Sequence, residues 1–213
     1  MATSLPTAIA YPLDRDIPAS HVDWPLDPQR CALLVHDMQR HFIAPYSANE
    51  EPMGAVIPAI ALLLDEARSR DVPVFYTAQP SDQPAEKRAL VSDFWGPGMT
   101  GKPEAARIID ELTPAAGDTV LTKWRYSAFA KTNLRERLRA LSRDQLLITG
   151  VYADIGIKTT AVVAFMEDIQ PFLVHDAVAD FTAADHQAAS RWVAQRAGRV
   201  ISTDDALRSL RSA

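Results

Sequence analysis

Cys31-Ala32-Leu33-Leu34-Val35-His36 runs without a polar position until its last residue. A strand with one wet face alternates apolar and polar residues, so an unbroken run needs cover on both faces, as in a parallel sheet between helical layers. Val72 to Thr77, Thr119 to Thr122, Gln145 to Thr149, Gln170 to Val174 and Val200 to Ser202 are read as further strands of the same sheet. Between them, Ala55 to Arg70 carries Ile57, Ile60, Leu63, Leu64 and Ala67 at helical spacing. Pro103 to Leu112, Asn133 to Leu141, Ile157 to Met166, Ala183 to Ala197 and Asp204 to Arg211 are read as helices too, with Thr182 and Thr203 as N-caps of the last two. Strands alternating with helices predict one α/β domain: a three-layer α/β/α architecture on a six-stranded, mostly parallel sheet with right-handed crossovers. The expected domain is 31–213. Residues 1–30, rich in proline and poor in periodicity, are expected to form an extended arm over it or over a neighbouring subunit.

Composition narrows the function classes. The net charge of -5 and pI of about 5.5 give no electrostatic case for nucleic acid or an anionic membrane surface. No apolar stretch is long enough to span a bilayer, and Met1 to Pro6 lacks the basic-then-apolar pattern of a secretory signal. Cys31 is the single cysteine, which excludes an internal disulfide or a cysteine-based metal cluster, so a cytoplasmic protein is the default expectation. His36-Asp37-Met38-Gln39 after the first strand is not a glycine-rich dinucleotide turn. Neither a Walker-type phosphate loop nor a G-x-S-x-G elbow occurs. His36, His41, His175 and His186 have no recognised ligand spacing, so no metal and no cofactor is expected.

In an open parallel sheet, ligands bind beyond the carboxyl ends of the strands. Those ends carry Asp37, Gln79, Lys123, Tyr152 and Gly156, with Arg88 inside the long polar segment Ser81 to Met99, expected to act as a lid. Each has a plain alternative. Asp37 suits a helix cap, Arg88 suits a solvated loop charge, and Lys123 suits a sheet rim with Trp124, Tyr126 and Phe129 covering the core.

His36-Asp37-Met38-Gln39, Asp93-Phe94-Trp95-Gly96-Pro97-Gly98-Met99, Leu121-Thr122-Lys123-Trp124-Arg125-Tyr126-Ser127-Ala128-Phe129, Ile148-Thr149-Gly150-Val151-Tyr152-Ala153 and Asp176-Ala177-Val178-Ala179-Asp180-Phe181 resemble the isochorismatase family over nearly the whole chain. The resemblance implies a cysteine-hydrolase-like fold and a homodimer. Wider members of that superfamily are amidases with an Asp-Lys-Cys triad. Asp37 and Lys123 match its first two members, but the cysteine position after Gly156 holds Ile157, which has no lone pair with which to form an acyl intermediate. The missing thiol resembles the phenazine-pathway branch, as does a chain that ends soon after the sixth strand without a carrier domain.

The resemblance therefore implies hydrolysis of the enolpyruvyl vinyl ether of 2-amino-2-deoxyisochorismate to trans-2,3-dihydro-3-hydroxyanthranilate and pyruvate. Asp37 is the expected general acid, and Lys123 the cation that stabilises it as it loses its proton. Gln79, Arg88 and Lys123 are expected to hold the substrate carboxylates, assisted by Tyr152 and the backbone near Gly156. Phe42, Trp95, Trp124 and Phe129 are expected to supply apolar walls. The alternatives are isochorismate as substrate, giving 2,3-dihydro-2,3-dihydroxybenzoate and pyruvate, and a non-catalytic scaffold on the same fold. Asp154 departs from the family's usual histidine at its position. It is expected to raise the proton affinity of Asp37 if close, to alter substrate choice, or to sit at a dimer contact.

Overall fold

The computed structural model describes residues 5–6, 9–47 and 49–212. Of the expected arm, residues 1–4 and 7–8 lie outside the described residues. In chain order the elements are β1 (Cys31–His36), α1 (Arg40–Ile43), α2 (Met53–Ser69), β2 (Val74–Ala78), α3 (Ala85–Arg88), α4 (Val91–Trp95), β3 (Thr119–Thr122), α5 (Leu134–Ala140), β4 (Gln145–Val151), α6 (Lys158–Met166), β5 (Gln170–Ala179), α7 (Ala183–Arg196), β6 (Arg199–Ile201) and α8 (Thr203–Arg211). The strands lie in the order β3-β2-β1-β4-β5-β6 and every neighbouring pair is parallel.

Alternation along β1 sorts the core into two layers. Leu33 and Val35 face α2 and α8, meeting Ile60, Leu63, Leu64 and Leu210, and the arm residues Ile9, Tyr11, Leu13 and Leu26 extend this layer. Ala32 and Leu34 face the other way, toward Leu134 and Leu138 of α5, Ala161 and Ala164 of α6, and Val193 of α7. The two-sided burial expected of an unbroken apolar run is what makes β1 fully buried at every position.

Several local expectations are corrected. Pro103 to Leu112 is not one helix but two 3₁₀ turns, Pro103–Ala106 and Asp110–Leu112. The backbone between them pairs with the segment after β1, Arg40 N donating to Arg107 O at 2.8 Å and Ile109 N to Met38 O at 3.0 Å. Tertiary pairing thus takes the groups a helix would have used. Ser81 to Met99 is likewise not wholly irregular, since it folds into α3 and α4.

The N-cap of α8 is Ser202, one residue before the expected Thr203, in a capping box with Asp205. Thr203 instead donates its amide and hydroxyl to Asp176 Oδ1, both at 2.7 Å. β5 also outruns its expected end at Val174, because its pairing with β4 resumes beyond a bulge. The pairing with β4 jumps from Ile148↔Leu173 to Gly150↔Val178, and the bulge between turns Asp176 toward α8 before the strand resumes. Ser202→Ala is expected to cost about 1 kcal/mol, read from urea unfolding, whereas an unchanged midpoint would contradict the reassigned cap.

Candidate active site

Three adjacent strand ends build the centre of the site. Registers His36↔Thr77 and Ala78↔Thr122 bring the ends of β1, β2 and β3 side by side. The chain turns sharply out of β1 at Asp37, which takes a left-handed conformation (φ 53°) that aspartate tolerates better than most residues. Its amide donates to Thr77 Oγ1 at 3.1 Å, and the Thr77 hydroxyl donates to Asp37 Oδ1 at 2.6 Å. Lys123 leaves β3 with its amide on Ala78 O, and its Nζ donates to Asp37 Oδ2 at 2.6 Å. Both members of this ion pair are buried, at 5% and 2% exposure. Buried Gln39 braces the neighbouring loop, donating to Gln79 O and Ala106 O and accepting from the Gln79 amide.

His36 packs beneath Asp37 with Nδ1 2.8 Å from Val151 O and Nε2 3.2 Å from Tyr126 O. Burial pushes its imidazole down to about 4. Two glycines make room for His36, Gly150 for its backbone and Gly156 for its ring. A Cβ at Gly150, where φ is +107°, would meet His36 O at 2.1 Å, and one at Gly156 would meet the ring at 2.2 Å.

A cavity of about 550 Å³ opens above the pair. Asp37, Phe42, Gln79, Arg88, Trp95, Lys123, Tyr152 and Gly156, the residues singled out from sequence, all line it. Their surroundings add detail that the sequence did not hold. Arg88 is 5% exposed rather than solvated, with Nε donating to Gly96 O at 2.6 Å and Nη1 to Gln83 Oε1 at 2.7 Å. The Tyr152 hydroxyl donates to Phe42 O at 2.8 Å, so this phenol is already engaged by backbone. Burial raises its proton affinity far above the ordinary phenol range. Among the expected walls, Trp124 lines the cavity, but Phe129 packs in the core between the sheet and α5. Asp154 is not among the lining residues; it pairs with Lys158, and its amide donates to Asp180.

Thr77, His36, His41, Arg125 and Tyr126 were missed as parts of the site. Thr77 had a legible signal, a hydroxyl at the end of a buried strand. His41 had none, since α1 only becomes a cavity wall once the chain folds back. The lining carries three cations, Arg88, Lys123 and Arg125, against the single carboxylate of Asp37. Such a lining suits a small apolar-bodied dianion. Cys31 opens β1 at the far end from Asp37, about 20 Å away at ordinary strand rise. It is fully buried, and burial raises its thiol to about 12. Ile157 occupies the position after Gly156 and is buried in the same core layer as α6. The cavity therefore has no thiol nucleophile. Among the described residues no group of three or more His, Cys, Asp or Glu side chains is placed to hold a metal ion, and no helix is long and apolar enough to cross a membrane.

Residues 31–205 match the model of the isochorismatase domain. The chain is 51% identical over 200 residues to enterobactin synthase component B of Escherichia coli K12, covering 94% of this chain and 70% of that protein. It is 45% identical over 205 residues to the phenazine biosynthesis protein PhzD of Pseudomonas fluorescens, covering 95% and 98%. A cysteine hydrolase from Pseudomonas syringae pv. phaseolicola superposes with a TM-score of 0.82 at 25% identity, covering 90% of this chain and 97% of that one.

Two outcomes are expected from this geometry. Gly156→Ala places a methyl group inside the His36 ring position and should destabilise the fold by about 1–3 kcal/mol in urea unfolding; wild-type stability would show that the ring can move aside. The second concerns pH. His36 and His186 are both held at about 4, chiefly by burial, against an ordinary 6.5, so the folded chain binds fewer protons than the unfolded one between those values. Their contribution is intact above 6.5 and is lost as pH falls through the window. Asp180, raised by burial to about 6 from 3.8, acts in the opposite sense as a single group. The urea midpoint should therefore fall between about pH 6.5 and about pH 4.5, and a rise would contradict the assignment.

Proposed function

Since this chain belongs to the isochorismatase family and is a hydrolase of the isochorismatase type, we propose that it splits the enolpyruvyl vinyl ether of isochorismate. The products are pyruvate and 2,3-dihydro-2,3-dihydroxybenzoate, and Asp37 is the general acid. The observation that carries this reading is the Asp37 carboxyl held between Lys123 Nζ and Thr77 Oγ1 beneath a cation-lined cavity.

A vinyl ether needs a proton on its terminal methylene carbon and no nucleophilic side chain. Asp37, in its acid form, delivers that proton and becomes a carboxylate, while the ether carbon becomes an oxocarbenium ion. Lys123 and Thr77 already donate to the two oxygens on which that negative charge appears, so their contacts strengthen as the proton leaves. A dianionic substrate brings like charge toward Asp37 and so favours the carboxyl form that donates. Water adds to the cation and returns a proton to Asp37. The resulting hemiketal then collapses to ring alcohol and pyruvate. Arg88 and Lys123 face the two carboxylates, with Gln79 beside them, and Trp95, Phe42 and Trp124 wall the ring from water.

The charge balance favours the hydroxylated substrate over the aminated one expected from sequence. An ammonium on the ring would meet three cations, and the one lining carboxylate is already engaged by Lys123. The aminated substrate stays as the second reading because the phenazine biosynthesis relative matches along nearly its full length.

Pyruvate release, coupled to lactate dehydrogenase and NADH, tests both. Isochorismate should exceed 2-amino-2-deoxyisochorismate in kcat/KM by about tenfold, and Asp37→Asn should lower kcat by about 10²–10⁴. Full turnover in Asp37→Asn would remove Asp37 as the acid. A preference for the amine would reverse the charge argument, and no pyruvate from either would leave the scaffold reading.

A further inference from the structure

The three residues after Lys123 are all tied to the segment that carries Arg88. Lys87 Nζ lies over the Trp124 ring at 5.1 Å. Trp95 Nε1 donates to the Tyr126 hydroxyl at 2.9 Å. Between these ties, Arg125 Nη1 donates to Trp124 O at 2.6 Å on its own loop and to Lys87 O at 2.8 Å, with Arg88 O at 3.4 Å. Lys87 and Arg88 close α3, whose last carbonyls have no acceptor role within a helix that stops there. A guanidinium set against them also complements the negative end of the turn.

The segment needs such a tie. Arg88 is followed by Ala89 at φ 48°, ψ -133°, a conformation that side chains with a Cβ rarely adopt and that persists only where surrounding contacts enforce it. The Arg88 guanidinium donates to Gly96 O, Gln83 Oε1 and Trp95 O, all within residues 83–96, and at 3.4 Å to Gln79 Oε1 just past the end of β2. The short contacts orient Arg88 within its segment; only the long ones to Gln79 reach the strand ends, so the segment's place over the sheet rests largely on other groups.

We propose that Arg125 is a positioning residue: by bridging the Lys87 and Trp124 carbonyls, it sets the spacing between the cavity's two carboxylate-facing cations, Arg88 and Lys123. A substrate with two fixed carboxylates reads that spacing in the ground state and the transition state alike. Loss of Arg125 therefore raises KM more than it lowers kcat. The kinetic part rests on the vinyl ether reading above; the structural part does not.

The test pairs hydrogen exchange on the substrate-free protein with kinetics in Arg125→Met and Arg125→Lys. In Arg125→Met, amides of residues 84–96 should exchange about tenfold faster while the sheet keeps its protection. KM for the turned-over substrate should rise about tenfold with kcat within about threefold, and Arg125→Lys should lie between Met and wild type. Wild-type exchange at 84–96 in Arg125→Met overturns the proposal, and a KM rise in that case marks Arg125 as a direct substrate contact. Faster exchange with unchanged KM also overturns it. If the wild type releases no pyruvate, the functional reading fails while the exchange result still decides the clamp.

Discussion

The ion pair between Lys123 and Asp37 is the interaction around which the molecule is arranged. Taking two charges out of water costs several kcal/mol for each ion, and their attraction repays this only when geometry is good and the remaining polar valences are filled. Thr77 fills one side of the carboxyl. The parallel register of three neighbouring strands holds the geometry, so a contact between residues 86 apart in the chain depends on two strand pairings. Such a pair is a poor way to stabilise a fold. Its persistence beneath a cavity fits the proposed chemistry, in which the contacts that hold the carboxylate are the ones that ease its proton away.

The neighbourhood of that pair explains which reactions the cavity can support. Gly156 leaves space for a buried imidazole and Gly150 for the backbone that carries it, and Ile157 is given over to packing against the second helical layer. The position at which the resemblance would put a nucleophile is core. A thiol elsewhere cannot substitute, because Cys31 is sealed at the opposite end of β1. What remains is one carboxyl group, three cations and aromatic walls, the set on which the proposed vinyl ether hydrolysis rests.

The sheet was legible because burial on both faces leaves a one-dimensional trace, and the strand-end rule then located Asp37, Gln79 and Lys123 without coordinates. Legibility failed where long-range contacts outweighed local pattern. Pro103 to Leu112 has helical spacing, yet its backbone pairs with Met38 and Arg40. Phe129 sits in an aromatic-rich loop like Trp124, yet faces the core, because nothing in a loop's sequence fixes which side of the turn a ring takes. Arg88 resembled any loop charge until α3 and α4 folded around it.

From the chain alone came the layer architecture, the carboxylate and the cation, each a matter of residue type at a strand end or along an apolar run. The missing nucleophile at position 157 was implied by the resemblance to the isochorismatase family. Tertiary structure decided which atoms meet. It placed Thr77 on the acid, the Tyr152 hydroxyl on Phe42 O, and Arg125 across two carbonyls. It also set the excess of cations over carboxylates in one cavity. The reason is geometric: residue type and spacing along the chain record burial and backbone preference, whereas hydrogen-bond partners and local charge balance depend on distances in space that separate elements fix only when packed.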